Sequence, residues 1–183
     1  MKKIGLILIF IFLTGLFSGI FFSTNLSQTA NDTLSALMLT SFSDSDAGFL
    51  KAFTSSIISN FTLFIIMIPA LFTKYLKPVP VIVLWYKSFA IGFCSGLIYI
   101  NAASQALLIS VTKILPQNLF IIPSFIIFTA AVFLYPVHSN HNFRHINKKN
   151  RPTLNGPLMI FALSSALLII GAFTEAVFHL IAL

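Results

Sequence analysis

Residues 4–22 read IGLILIFIFLTGLFSGIFF, nineteen positions without a charged side chain. A helix that crosses the hydrocarbon core of a bilayer needs about 20 predominantly apolar residues. Met1, Lys2 and Lys3 stand in front of this run, which gives it the outline of a secretory signal. It is longer than the apolar core of such a signal, about 7–15 residues. It also places Gly15 and Gly19 four apart, the small-xxx-small spacing that lets helix backbones meet. The run is therefore read as a retained first transmembrane helix.

Four further stretches have the same character, at residues 53–72, 80–100, 119–137 and 157–180. Of the 183 residues, 57% are hydrophobic and only 8% are charged, and the mean hydropathy is +0.97. A soluble domain carries about a quarter charged residues, so this chain lacks the side chains to cover a water-facing surface. The fold class that follows is all-α: a polytopic membrane protein with about five transmembrane helices. Residues 1–183 are read as a single integral membrane domain, and no internal repeat is visible.

The net charge of +7 does not point to nucleic acid. Its basic residues fall in short clusters between apolar runs, a pattern of membrane topology rather than of phosphate binding. Lys2 and Lys3 precede the first span, Lys74 and Lys77 separate the second from the third, and Arg144, Lys148, Lys149 and Arg151 crowd the segment between the fourth and fifth. Alternating helices put these clusters on one side, the cytoplasm by the positive-inside rule. The other side receives residues 23–52, with Asp32, Asp44 and Asp46, and residues 101–118. The expected orientation is N-terminus in and C-terminus out.

Two outer segments carry helical spacing. Leu34, Leu37, Met38 and Phe42 form one apolar stripe, and Leu107, Leu108, Val111, Ile114 and Leu115 form another over about residues 104–115. Each reads either as a helix lying at the membrane surface or as one packed on its own bundle. Residues 138–152 read as a solvated, basic cytoplasmic loop.

Ionisable groups inside spans are costly and are read one by one. Lys87 follows Pro80 by about two turns, so its ammonium either snorkels to the cytoplasmic surface or stays buried against carbonyls or another helix. Glu175 lies near the outer end of the fifth span. At about 1.5 Å rise per residue its height differs from that of Lys87 by roughly 15 Å, which argues against their pairing and makes Lys113 the better partner. His179 follows Glu175 by four residues, but a carboxylate and an imidazole are too few ligands for a metal site. His138, His141 and His145 would share a helical face, yet Arg144 and the lysines beyond oppose a cation there. No metal site, cofactor motif or catalytic residue is assigned.

Serine hydrolysis needs a base and an orienting group beside the nucleophile. Ser55, Ser56, Ser59, Ser164 and Ser165 have no such neighbours in sequence, and serines on membrane helices commonly serve close packing and interhelical hydrogen bonds. Cys94 is the single cysteine, so no disulfide framework exists. Ser88, Gly92 and Gly96 recur every four residues and give the third span one flat face; Ala172 and Ala176 do the same on the fifth. Pro116 is expected to end the helix before it. Gln117 and Asn118 then enter a span, where their amides need partners; carbonyls freed by Pro116 and Pro123 are candidates.

At this point a family resemblance appears. Tyr86-Lys87-Ser88-Phe89-Ala90-Ile91-Gly92-Phe93, then Gly96, then Ile114-Leu115-Pro116-Gln117-Asn118-Leu119-Phe120-Ile121-Ile122-Pro123 resembles the stage II sporulation protein M family. Ser88 stands where a glycine is typical of that family. The resemblance implies a non-enzymatic protein of the bacterial cytoplasmic membrane, at the sporulation septum or engulfing membrane. There it would anchor two cell-wall hydrolases, an amidase and a lytic transglycosylase, while the forespore is engulfed. The positions singled out as a partner-binding or structural motif are Lys87, Gly92, Gly96, Pro116, Gln117, Asn118 and Pro123, together with Glu175 outside the stretch that carries the resemblance. The alternative is a membrane subunit of an export system paired with an ATPase. A permease should show a continuous polar face across several spans, whereas the polar groups here are read as clustering at span ends.

Overall fold

The computed structural model describes residues 2–43, 49–101, 110–134 and 155–181. A few side chains within the helices, Lys113 and His179 among them, lie outside the described set, as do the three histidines of residues 138–145 and the whole basic loop. The described chain is helical. Helix α1 spans Lys2–Thr24, α2 Gln28–Ser43, α3 Phe49–Met67, α4 Pro78–Asn101, α5 Leu115–Leu134 and α6 Asn155–Ile181. Five helical stretches are long and apolar enough to cross a membrane: Lys3–Thr24, Phe49–Leu71, Lys74–Asn101, Leu115–Leu134 and Met159–Phe178.

Proline sets the connection between the second and third spans. Pro69 has no N–H to continue α3, so the chain tightens into a short 3-10 turn over Ile68–Leu71. The Pro69 carbonyl accepts from the backbone N–H groups of Phe72 and Thr73, both at 3.1 Å. A second 3-10 turn, Lys74–Leu76, leads to α4. Pro78 and Pro80 sit in the first turn of α4, where a missing N–H costs nothing.

Contacts between helices fix their directions. Along the α1–α4 seam, Gly15 faces Trp85 and Ser88, Gly19 faces Phe89 and Phe93, and Gly96 faces Ser23. Both numbers rise together, so α1 and α4 run parallel. Helices α3 and α6 run antiparallel, with Phe49 against Phe173 (ring centroids 5.7 Å apart) at one end and Phe64 against Phe161 (5.5 Å) at the other. Helix α5 is antiparallel to α6, since Ile121 lies by Gly171 while Ser124 donates to the Ser164 carbonyl at 2.8 Å. Thr129, late in α5, reaches the Pro80 carbonyl at the start of α4, at 3.5 Å. Helices α1, α4 and α6 thus start at one end of the bundle, the basic end, with Lys3 and Lys74 exposed there.

One apolar core draws on all five spans and sits towards that basic end. It holds Leu8 of α1, Phe64 and Met67 of α3, Val83 and Leu84 of α4, Ile121, Phe125, Phe128 and Val132 of α5, and Leu168 of α6. Phe64 is its centre, with ring centroids 4.5 Å from Phe128, 5.5 Å from Phe161 and 6.2 Å from Phe125. At the opposite end, α2 is fastened to the last residue of α4 by the Asn101 amide, which donates to Asn31 Oδ1 at 3.1 Å. The expected surface helix at residues 34–42 is therefore present as part of α2. It is docked through Asn31, and Leu34 and Leu37 remain exposed.

The second expected surface helix meets a different outcome. Its residues 104–109 lie outside the described residues, and Ser110–Ile114 forms a π turn that runs directly into α5 at Leu115. Pro116 therefore does not end a helix here. Its ring would crowd the carbonyl four residues back, and the wider i→i+5 turn just before it makes the room. The helix consequently continues through the proline.

Candidate interhelical polar site

Apolar spans leave few side chains that can recognise anything polar, and the structure gathers several of them between α3, α4 and α6. Asn60 lies in the middle of α3, buried, one turn after Ser56, also buried. Lys87 on α4 donates from Nζ to Asn60 Oδ1 at 2.8 Å. The other half of the same amide, Asn60 Nδ2, donates to the Ser56 carbonyl at 2.9 Å and to Ser56 Oγ at 3.4 Å. Ser56 in turn lies within hydrogen-bonding reach of the carboxylate of Glu175 on α6. Lys87 and Glu175 are within electrostatic range of each other, and Cys94 is within range of Lys87.

The donors all point one way, from the ammonium through the amide and the hydroxyl to the carboxylate. An amide has both a donor and an acceptor end, which is what lets Asn60 sit between a cation and a hydroxyl. Burying a lone charge in such surroundings is expensive, and a hydrogen-bonded path to the opposite charge offsets that cost. Lys87 thus follows the buried reading, holding another helix.

The height argument against a direct Lys87–Glu175 pair agrees with the described residues, among which Lys87 bonds Asn60 and feels Glu175 only electrostatically. Rise along the axes separates their Cα atoms, but it leaves out the reach of two long side chains and the helix between them. Helix α3 supplies Ser56 and Asn60 at intermediate heights, so the charges are joined through it. Polar groups are therefore not confined to span ends: a polar line crosses the interior between three spans. Asn60 was not singled out from the sequence. The signal was available, since a lone asparagine inside an apolar run needs a partner in the bundle.

The motif glycines have a structural assignment. Gly92 lies against the backbone of Leu16, where an added Cβ would meet the Leu16 carbonyl, and Gly96 lies against Ser23. Ser88, in the place of a typical glycine, is fully buried opposite Gly15 and turns its hydroxyl back to its own helix, donating to the Trp85 carbonyl at 2.7 Å and the Leu84 carbonyl at 3.0 Å. The side chain added at 88 is accommodated by the one missing at 15. Ala172 and Ala176 are buried on α6.

Asn118 is 7% exposed and donates from Nδ2 to the Ile114 carbonyl at 2.7 Å, at the junction of the π turn and α5. It therefore serves neither Thr112, the carbonyl that Pro116 would have bonded in a regular helix, nor Leu119, the one that Pro123 leaves free. Its Oδ1, with Ser164 Oγ and Ser165 Oγ, has no hydrogen-bond partner among the described residues. Pro123 sits inside α5 on an exposed face. Gln117 is partly buried, and its backbone carbonyl lies beside Gly171. Among the described residues no cluster of three metal-ligating side chains occurs.

Comparison with known proteins places this arrangement. No curated protein and no solved structure matches the chain. A sequence model of one family, stage II sporulation protein M, matches residues 8–178. That range reaches into all five spans and takes in the glycine seam, the polar line from Ser56 to Glu175 and the Pro116-Gln117-Asn118 motif. The chain therefore belongs to the stage II sporulation protein M family.

Proposed function

We propose that this protein is a non-enzymatic membrane scaffold that anchors and localises two peptidoglycan-degrading enzymes, an amidase and a lytic transglycosylase, during forespore engulfment. Membership of the family over residues 8–178 carries this reading. Its physical support is the way polar side chains are used: Lys87, Asn60, Ser56 and Glu175 are spent on joining helices to one another. With the basic end in the cytoplasm, α2 lies on the outer surface, held by the Asn101–Asn31 bond and presenting Leu34 and Leu37. That is the side on which cell-wall enzymes work. The relevant membrane is the cytoplasmic membrane at the septum and its engulfing extension.

Affinity purification from mildly solubilised membranes of sporulating cells, followed by mass spectrometry, tests the proposal. An amidase and a transglycosylase in the eluate are expected. One specific observation favours the second reading, a membrane subunit of an export system: the polar line through the interior of the bundle is what a translocating protein would need. Recovery of a transporter ATPase in place of the two hydrolases would establish that reading and sink the scaffold.

A further inference from the structure

The described spans divide into two groups by how they hold together. Helices α1 and α4 interlock closely through Gly15, Gly19, Gly92 and Gly96, with backbone against backbone at Gly19 and Gly92. Helices α3, α5 and α6 are joined by the phenylalanines around Phe64 and by the Ser124–Ser164 bond. At the basic end the two groups share the apolar core, in which Leu8, Val83 and Leu84 of the pair meet Phe64, Met67 and Phe125 of the trio. Towards the α2 end the contact changes character. Helices α3 and α4 touch only sparsely along their length. Among the described residues, ties towards that end include the Lys87–Asn60 bond and a small cluster in which Ile91, Cys94 and Ile98 of α4 meet Ile114 of the π turn.

We propose that the line Lys87–Asn60–Ser56–Glu175 is a charge-balanced latch that closes the α2 end of the bundle. Releasing it lets the α1–α4 pair swing from the α3–α5–α6 trio about the apolar core. The core suits a pivot, because its packing persists while the opposite end separates. The line suits a latch, because it is cooperative: every donor faces the anion, so losing either terminal charge leaves the other uncompensated in a poorly solvated place. Removing both charges together leaves no such debt. A merely structural hydrogen bond would not show that reciprocity.

The chain carries its own reporter. Cys94 is the only cysteine, is partly buried, and lies in the cluster where the pair meets the trio. The experiment measures the rate at which N-ethylmaleimide alkylates Cys94 in the full-length protein in lipid nanodiscs. Wild type is expected to react slowly, and Lys87→Met and Glu175→Gln each about tenfold faster, as suits the loss of a charged hydrogen bond that restrains local opening. The double variant is expected to return to within about twofold of wild type, the signature of coupled partners. Losing a cation beside a thiol would by itself slow alkylation, so acceleration in Lys87→Met reports opening. Ser56→Ala, which breaks the line without changing charge, is expected to fall between wild type and the single charge variants. Should a charge variant fail to fold, Ser56→Ala and the double variant decide the matter: Ser56→Ala as slow as wild type overturns the latch. Single variants as slow as wild type overturn it too, and so does a double variant as fast as the singles.

Discussion

Gly92 shows how little room a single residue can leave. A Cβ there would fall on the backbone carbonyl of Leu16, which cannot rotate away as a side chain can. Gly92→Leu is therefore expected to destabilise the bundle by about 1–3 kcal/mol, the usual range for overpacking, as measured by SDS titration in mixed micelles. Gly5 has nothing within 4 Å of an added Cβ, so Gly5→Ala is expected to leave the same midpoint unchanged or raised. Both glycines look alike in sequence; only the neighbour separates them. Lys87 teaches the same lesson. Its two sequence readings differ in whether the ammonium reaches the surface or stays in the bundle, and the outcome depends on Asn60, 27 residues away.

At the scale of elements, the spans were legible because lipid leaves few alternatives to a long apolar helix. Residues 53–72 against Phe49–Leu71 and 119–137 against Leu115–Leu134 show the usual blur of a turn or so at the ends. The fourth span was harder. Its start was set after the Pro116-Gln117-Asn118 motif on the expectation that proline closes a helix, whereas a π turn carries the helix through it. Hydropathy does not encode a change in hydrogen-bond spacing. The motif's amides can be tested at this scale. Asn118 bonds only within its own turn and leaves its Oδ1 without a partner among the described residues. Replacing Gln117 and Asn118 with leucine is therefore expected to preserve membrane insertion, assayed by carbonate extraction. On the scaffold reading, recovery of the two hydrolases should drop severalfold. Undiminished recovery would remove the motif from partner binding.

For the whole molecule, the packing contacts fix which helices run parallel, and charge predicts which end faces the cytoplasm. Lys3 and Lys74 lie at one end, and the positive-inside rule assigns that end to the cytoplasm. Fusions after residue 183 are expected to make an exported phosphatase active and a cytoplasmic fluorescent reporter dark, while insertions in residues 138–152 should give the reverse. The opposite result at both positions would invert the molecule and move α2 to the cytoplasmic face, away from any cell-wall enzyme. The polar line belongs to this scale too, since no one helix contains it and no reading of separate spans would assemble it.

The same line has a consequence for how the protein is made. Synthesis runs from α1 to α6, so α3 carries Ser56 and Asn60 towards the bilayer before Lys87 exists and well before Glu175. The tight proline turn at Ile68–Leu71 brings α4 up directly behind α3, which favours the entry of these two helices as a hairpin with the ammonium already on the amide. Gly15 and Gly19 of α1 wait for the same arrival. A nascent chain halted after α5 would hold a cation in the bilayer without its anion. Insertion of α6 thus brings Glu175 within electrostatic range of Lys87, and the two membrane-embedded charges offset each other only from that step on.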